Sequence, residues 1–155
     1  MKYQYGEFSA QGDQFFVQRV DTPQPWHNQL SSNDVYSRIS QVGQGELRFL
    51  NQHATPITRR LIFVRDNDSS ESWNATGNDQ TAFDHFQAVH AQWHTRIETV
   101  HQAISSSTTF FLPEDEPLEV WRVKVSNQSR TKRRLTLFAG VLWGNKASET
   151  FETRH

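Results

Sequence analysis

The sequence lacks cysteine altogether, and it also lacks an excess of either charge and any long hydrophobic run. Without cysteine the chain cannot form disulfides or thiolate metal sites, so packing must hold the fold together. No apolar run approaches the roughly 20 residues that a membrane-spanning helix needs. The N-terminus shows neither the hydrophobic segment nor the cleavage site of a secretory signal. We therefore expect a cytoplasmic protein with no membrane partner.

The charge balance bears on a second class of partner. Lys and Arg total 16 against 17 Asp and Glu, which gives a formal net charge of -1. Such a protein has no overall basic field with which to hold a phosphate backbone, so we expect no nucleic-acid partner. A chain of this length can bury about 70% of the surface that it exposes when unfolded. That is enough for one core, and we predict a single domain over residues 1–155.

Aromatic residues are abundant, with five Trp, eleven Phe and three Tyr. Aromatic and β-branched side chains fit the pleated surface of a sheet. From Ala91 to Thr99 apolar and polar residues alternate with a period of two, which indicates a strand with one covered face. Turn residues between similar runs predict hairpins over residues 3–20, 37–49, 60–74 and 121–143. The predicted fold class is all-β, an antiparallel β-sandwich, with residues 81–88 open between loop and helical turn.

The tryptophans divide into two groups by their surroundings. Trp93, Trp121 and Trp143 lie in alternating runs, and large aromatic residues in such runs are mostly buried. We expect these three in the core. Trp26 and Trp73 stand beside turns and polar residues, so a core position and a surface position are equally compatible with their context.

The residues of common catalytic sites are missing. There is no Gly-x-Ser-x-Gly elbow, no phosphate-binding glycine loop with lysine, and no cysteine nucleophile. The acidic run 114–116 lies between two prolines and is typical of a solvated turn. The basic run 130–134 is expected at an exposed hairpin turn, and spacings among the seven histidines do not favour a shared metal. We expect a non-enzymatic chain without metal or cofactor.

A sugar-binding surface is the functional candidate that remains. Sugar rings present an apolar C–H face that stacks on aromatic rings, and their hydroxyls pair with amide, carboxylate and guanidinium groups. Residues of these chemical types stand near turns and strand ends, and we predict that the carbohydrate site consists of Trp26, Asn28, Arg59, Arg65, Asp66 and Trp73.

Five segments in order resemble one known family. They are residues 22–30, 39–45, 57–59, 62–66 with Trp73, and 120–135. Together they resemble the N-terminal β-sandwich of family 94 glycoside phosphorylases, formerly glycosyltransferase family 36, which include cellobiose and chitobiose phosphorylases and a module of cyclic β-1,2-glucan synthases. The resemblance implies a super-sandwich related to galactose mutarotase. It also implies a role in binding carbohydrate, of the β-linked glucose type, and in dimer formation.

Three functions are compatible with this resemblance. The first is a non-catalytic carbohydrate-binding module. The second is an N-terminal structural or dimerisation fragment whose catalytic barrel, with its catalytic aspartic acid, lies outside this chain. The third is a compact sugar hydrolase or isomerase, because mutarotase relatives use a histidine and a glutamate as acid and base. The family sandwich is longer than this chain, so uncovered edges should require a homodimer or a catalytic-domain partner.

Overall fold

The computed structural model describes residues 4–50, 57–77 and 81–144. Regular structure within these ranges consists of strands, and no helix there could span a membrane. The strands are β1 (Gly6–Phe8), β2 (Gln14–Val17), β3 (His27–Ser31), β4 (Val35–Ser40), β5 (Gln44–Phe49), β6 (Ile57–Asp66), β7 (Ser72–Asn74), β8 (His85–Ala91), β9 (His94–His101), β10 (Ile104–Phe111), β11 (Val120–Asn127) and β12 (Leu135–Trp143).

Two antiparallel sheets form the sandwich, as the all-β prediction required. The first sheet has the order β1-β2-β8-β9-β10-β11. The second has the order β12-β6-β5-β4-β3, and β7 also pairs with β6. Because β6 is long, β5 pairs with its first half and β7 with its second half, while β12 runs along its other edge.

Most of the predicted hairpins are confirmed. β1 pairs with β2, β4 with β5, and β6 with β7. The β4–β5 turn depends on Gly43 and Gly45, whose φ angles are +75° and +123°. A Cβ on Gly45 would lie 2.1 Å from the carbonyl oxygen of Arg38. Glycine is therefore required there both by conformation and by space.

The region from residue 81 to residue 101 is resolved into two strands. The segment left open between loop and helical turn contributes to β8, and β9 buries Thr95, Ile97 and Thr99, as the alternation predicted. The prediction of a strand beginning at Ala91 was wrong at its start, because residues 92 and 93 form the turn between β8 and β9. Trp93 lies in this turn and is 69% exposed, so its predicted core position was also wrong.

The predicted hairpin over residues 121–143 was wrong. β11 pairs with β10 and β12 pairs with β6, so the two strands lie in opposite sheets. The segment between them crosses the sandwich and is anchored to the β6–β7 turn, where Arg133 binds Asp66 and Arg134 binds Asp68. Part of the basic run thus forms ion pairs. The alternation of apolar and polar residues identifies a strand, but it does not specify which antiparallel strand will pair with it.

The core lies between the sheets. One cluster contains Val17, Leu30, Ile39, Ala88, Ile97 and Phe110, and a second contains Ile62, Val64, Trp73, Ala75 and Ile104. Trp121 packs against both clusters, which fits its predicted inward position. Trp143 is 61% exposed on β12, contrary to the core prediction, because no strand lies beyond β12 among the residues that the structure describes.

A buried ion pair also joins the sheets. Arg60 on β6 binds Glu119, which precedes β11, with Nε to Oε1 at 2.6 Å and Nη2 to Oε2 at 2.8 Å. Both side chains are almost fully buried, at 0% and 1% exposure. Ser37 and the indole N–H of Trp121 also donate to the Glu119 carboxylate. Because the pair is buried away from water, removal of either partner would leave the other as an unpaired buried charge.

Candidate functional site

The six predicted sugar-binding residues do not form one site. Trp26 directly precedes β3 and Asn28 lies on it, at one end of the second sheet. Arg59, Arg65 and Asp66 lie on β6, nearer the other end, and Trp73 lies on β7 beside them. The structure therefore separates the six predicted residues into two groups, and their contacts differ from residue to residue.

Trp73 occupies the core, which was one of its two alternatives. Its side chain is 2% exposed, and its ring lies 4.9 Å from that of His101. Asp66 is 1% exposed and accepts a hydrogen bond from Arg133 Nε at 2.6 Å. The backbone N–H of Asp68 and the Arg133 guanidinium hold the pKa of Asp66 below its ordinary value. Both predicted residues are thus engaged inside the protein, with little surface to offer a sugar.

Asn28 links the two sheets. Its Nδ2 donates to the carbonyl of Ala91 at 2.7 Å and to that of His94 at 3.1 Å, at the turn between β8 and β9. Its Oδ1 accepts from the N–H of Gln29 at 3.0 Å. The amide therefore has a structural role, since its hydrogen-bonding groups already have protein partners.

Arg59 and Arg65 point away from the core. Along β6 the residues between them alternate, and Arg60, Ile62 and Val64 are buried. Arg65 is exposed and Arg59 is partly exposed. Six residues of strand separate the two by about 20 Å, which is too far for both to contact one monosaccharide.

Trp26 is the predicted residue that belongs to a surface cluster. We call this cluster the aromatic patch, and it consists of Tyr5, Phe8, Phe15, Trp26, His27 and His90. The ring centroids of Phe8 and Phe15 lie 4.8 Å apart, those of Phe15 and Trp26 5.3 Å apart, and those of Tyr5 and Trp26 6.1 Å apart. Phe8 is 60% exposed. The patch therefore presents the exposed ring of Phe8 together with the partly exposed rings of Tyr5, Phe15 and Trp26, of which Phe15 and Trp26 also pack against the core.

Strand register and backbone hydrogen bonds set the positions of these rings. Phe8 and Phe15 are directly opposite each other in the β1–β2 register, which brings their rings together on one face. The backbone of Trp26 is held on both sides, because its N–H donates to Gln41 Oε1 at 3.0 Å and its carbonyl accepts from Gln41 N–H at 3.1 Å. The indole is consequently supported by a loop whose backbone is hydrogen-bonded to Gln41.

His90 supplies a neutral, mostly buried imidazole at the base of the patch. Its Nε2 lies 3.0 Å from the carbonyl oxygen of Trp26, and its Nδ1 lies 3.2 Å from Thr95 Oγ1. A carbonyl only accepts, so Nε2 carries the proton and the Thr95 hydroxyl donates to Nδ1. Burial lowers the pKa of His90 to about 4. Burial likewise lowers the pKa of His27, with a smaller contribution from Arg38.

Two shallow depressions adjoin the rings. One, of about 450 Å³, is lined by Gln4, Tyr5, Phe8, Phe15 and Trp26, and the other, of about 420 Å³, is lined by Phe8, Phe15, Trp26, His27 and His90. A larger depression of about 600 Å³ lies between residues 18–21 and 81–87, but Arg19 and Asp21 on its wall already bind each other. Connected aromatic surface with a few polar groups is found at the patch, and sugar stacking needs that combination.

A histidine and a glutamate also meet elsewhere, which bears on the acid–base alternative. His101 Nε2 lies 2.8 Å from Glu71 Oε1, and its Nδ1 lies 3.0 Å from the carbonyl oxygen of Ala82. Gln102 donates to the second oxygen of Glu71 at 2.6 Å. Hydrogen bonds from His101 and Gln102 lower the pKa of Glu71. Because both imidazole nitrogens are already bonded, this pair is arranged to hold loops together rather than to move a proton on a substrate.

Within residues 4–50, 57–77 and 81–144 no group of three His, Cys, Asp or Glu residues is placed to hold a metal ion.

The sequence did not predict the other members of the aromatic patch, which are Tyr5, Phe8, Phe15, His27 and His90. The β1–β2 hairpin was predicted, and its register could have paired Phe8 with Phe15. The approach of His90 to Trp26 depends on the packing of β8 against β3, for which the sequence carries no local signal.

Comparison with known proteins connects this fold to one enzyme family. The family described as "Glycosyl hydrolase 94, supersandwich domain" matches residues 14–153. A 3-O-beta-D-glucopyranosyl-beta-D-glucuronide phosphorylase from Paenibacillus borealis is 31% identical over 137 residues, which cover 86% of this chain and 18% of that enzyme. Solabiose phosphorylase from the same organism is 22% identical over 151 residues, covering 88% of this chain and 20% of the enzyme.

An N,N'-diacetylchitobiose phosphorylase from Vibrio proteolyticus is 23% identical over 154 residues, covering 88% of this chain and 19% of that enzyme. The chain thus spans about a fifth of the length of these relatives. The matched part is their N-terminal region and does not include their catalytic domain. These matches confirm the resemblance, and the chain belongs to the glycosyl hydrolase 94 family as its supersandwich domain.

Proposed function

We propose that this supersandwich domain binds carbohydrate without catalysing a reaction, and that the aromatic patch is its binding surface. The observation that supports this most is the set of connected rings from Phe8 through Phe15 to Trp26, with Phe8 60% exposed. A pyranose lies flat on such a surface through its C–H face, and the half-buried His27 ring stands at the rim for its hydroxyls.

The proposed ligand is a β-linked gluco-oligosaccharide. One relative is named for a β-D-glucopyranosyl disaccharide, which supports this class of sugar. In β-linked glucose the hydroxyls are equatorial, so both ring faces expose C–H groups and can stack on an aromatic surface. We expect weak binding, with a dissociation constant near 1 mM or about -4 kcal/mol, because the surface is open and shallow.

Calorimetric titration with cellotetraose and laminaritetraose tests the proposal. Trp26→Ala should weaken binding at least tenfold, because it removes the indole between the two depressions. Trp143→Ala is the matched control, since it removes an exposed tryptophan at the other end of the sandwich. Thermal melts of both variants establish that they fold. No binding by the parent chain at 10 mM sugar, about ten times the expected constant, or equal losses in both variants, would contradict the proposal.

The second candidate is a structural role in assembly, with catalysis performed by another domain or subunit. The observation that favours it is the uncovered apolar surface of β12, where Leu137, Phe138 and Trp143 are 46%, 51% and 61% exposed. Exposed apolar clusters of this kind mark interaction sites. Sedimentation velocity at micromolar concentration should reveal a dimer, and a clean monomer would oppose this candidate. A cytoplasmic location remains our expectation, and cell fractionation tests it.

A further inference from the structure

The outer face of the first sheet carries a group of basic residues on β9 and β11. Arg96, Arg122 and Lys124 point away from the core, because the residues between them on each strand pack inward. Among the described residues, the exposed side chains of Arg122 and Lys124 form no ion pair. Glu98 Oε1 lies 3.1 Å from Arg96 Nε, but without hydrogen-bond geometry. Three cations therefore face one carboxylate on the described outer surface of β9, β10 and β11.

The two arginines of this group flank one position of the sheet. In the strand register Arg96 and Arg122 are each directly opposite Thr109 on β10. Adjacent strands are about 4.8 Å apart, so the two Cα atoms lie about 10 Å from each other and both long side chains can reach one small anion. Burial lowers the pKa of the neighbouring His94, and the positive charges of Arg96 and Arg122 lower it further. The two guanidinium groups therefore act on the same small region of the face.

A depression lined by hydroxyl groups lies beside the arginines. Its volume is about 390 Å³, and its lining includes Ser105, Ser107 and Ser126 together with Glu98 and Lys124. In the register Ser107 is directly opposite both Glu98 and Lys124, which therefore lie on either side of it. Hydroxyl groups donate and accept hydrogen bonds, an ammonium group only donates, and an ionised carboxylate only accepts. The depression therefore offers partners to a ligand that itself carries several hydroxyl groups.

We propose that this outer face binds a sugar acid, with the carboxylate between Arg96 and Arg122 and the ring over the serines of the depression. The excess of positive charge selects a negatively charged ligand. Glu98 accepts hydrogen bonds and repels anions, so the ligand must also carry hydroxyl donors, which sulfate lacks. Phosphate sites commonly use free backbone N–H groups, whereas those of β9 and β10 take part in strand pairing. A uronate supplies both the charge and the hydroxyls.

An NMR titration with sodium D-glucuronate at neutral pH and constant ionic strength tests this site. We expect the backbone amide signals of Ser107 and Thr109 to shift with a dissociation constant of about 1–10 mM, because the site is open and shallow. D-Glucose and sodium sulfate at the same concentrations should leave both signals in place. Equal shifts with glucose would show that the charge is not recognised, and equal shifts with sulfate would show that the hydroxyls are not. Either result, or no shift at about 50 mM glucuronate, overturns the proposal.

Three variants separate this site from the aromatic patch. Arg122→Gln should raise the dissociation constant for glucuronate at least tenfold, because it removes a charged, bidentate donor. Arg65→Gln is the matched control, since it removes an exposed arginine from the second sheet. Trp26→Ala should leave glucuronate binding unchanged while it weakens binding of cellotetraose, which carries no charge. Equal losses in the two arginine variants, or a loss of glucuronate binding in Trp26→Ala, would overturn the outer-face site, whereas failure of cellotetraose to bind would contradict the aromatic patch alone.

Discussion

Removing the buried carboxylate of Glu119 should destabilise the domain severely. Arg60 has 0% exposure, and two of its three nitrogens bond to this carboxylate at 2.6 and 2.8 Å. In Glu119→Gln the guanidinium stays buried without its counter-charge, and breaking such pairs costs about 3–5 kcal/mol. For a domain of this size each kcal/mol lowers the melting temperature by about 2–4 °C. We therefore expect a decrease of roughly 6–20 °C.

The double variant Arg60→Met with Glu119→Gln isolates the pair. It removes both charges, and replacing a buried ion pair by uncharged residues often changes the free energy of unfolding little. We expect it to regain most of the stability lost in the single variants, which urea unfolding followed by tryptophan fluorescence can measure. Asp21→Asn is the control, because the Arg19–Asp21 pair is exposed and should not shift the urea midpoint measurably. A Glu119→Gln loss below about 1 kcal/mol, or additive effects in the double variant, would show that Arg60 and Glu119 do not depend on each other for stability.

Three further predictions concern stability. Gly45→Ala should cost about 1–3 kcal/mol in urea unfolding because its φ is positive and a Cβ would meet backbone, whereas Gly140→Ala, with open space around it, should cost little. Because burial lowers the pKa of His90 to about 4, the imidazole is protonated in the unfolded chain but not in the folded chain between pH 6.5 and pH 4. The free energy of unfolding of the parent protein should therefore fall over this range by about 3 kcal/mol more than that of His90→Gln, and an equal pH dependence of the two would contradict this. Trp73→Ala should lose about 3–5 kcal/mol and Trp143→Ala almost nothing; similar melting temperatures for these two would contradict their assigned burial.

The sequence could predict strands more reliably than their partners. The period of two and the glycines of the β4–β5 turn were sufficient for local structure. For β11 and β12 the same period identified two strands but suggested a hairpin, because alternation is satisfied by any antiparallel neighbour. The choice of β6 as the partner of β12 depends on contacts such as Arg133 with Asp66, which are 67 residues apart.

The site was predictable only in part. Trp26 stands beside two prolines and polar residues, a context that left a surface position open, and the structure places it in the aromatic patch. Trp73 has a similar context, but it lies on a three-residue strand that the opposite sheet covers. Burial of a short strand depends on what lies across the sandwich, which local sequence does not encode. Asn28 and Asp66 have suitable chemistry for sugars but serve the fold instead.

An NMR titration of the indole N–H signals with a β-linked gluco-oligosaccharide tests directly whether sugar binds at Trp26. The chain has five tryptophans, and substitution of each assigns its indole signal. If the aromatic patch binds the sugar, the Trp26 signal should shift progressively up to millimolar sugar while the signals of Trp73 and Trp143 stay in place. Shifts confined to Trp143, or no shift of Trp26 at saturating sugar, would contradict the assignment of the aromatic patch as the carbohydrate site.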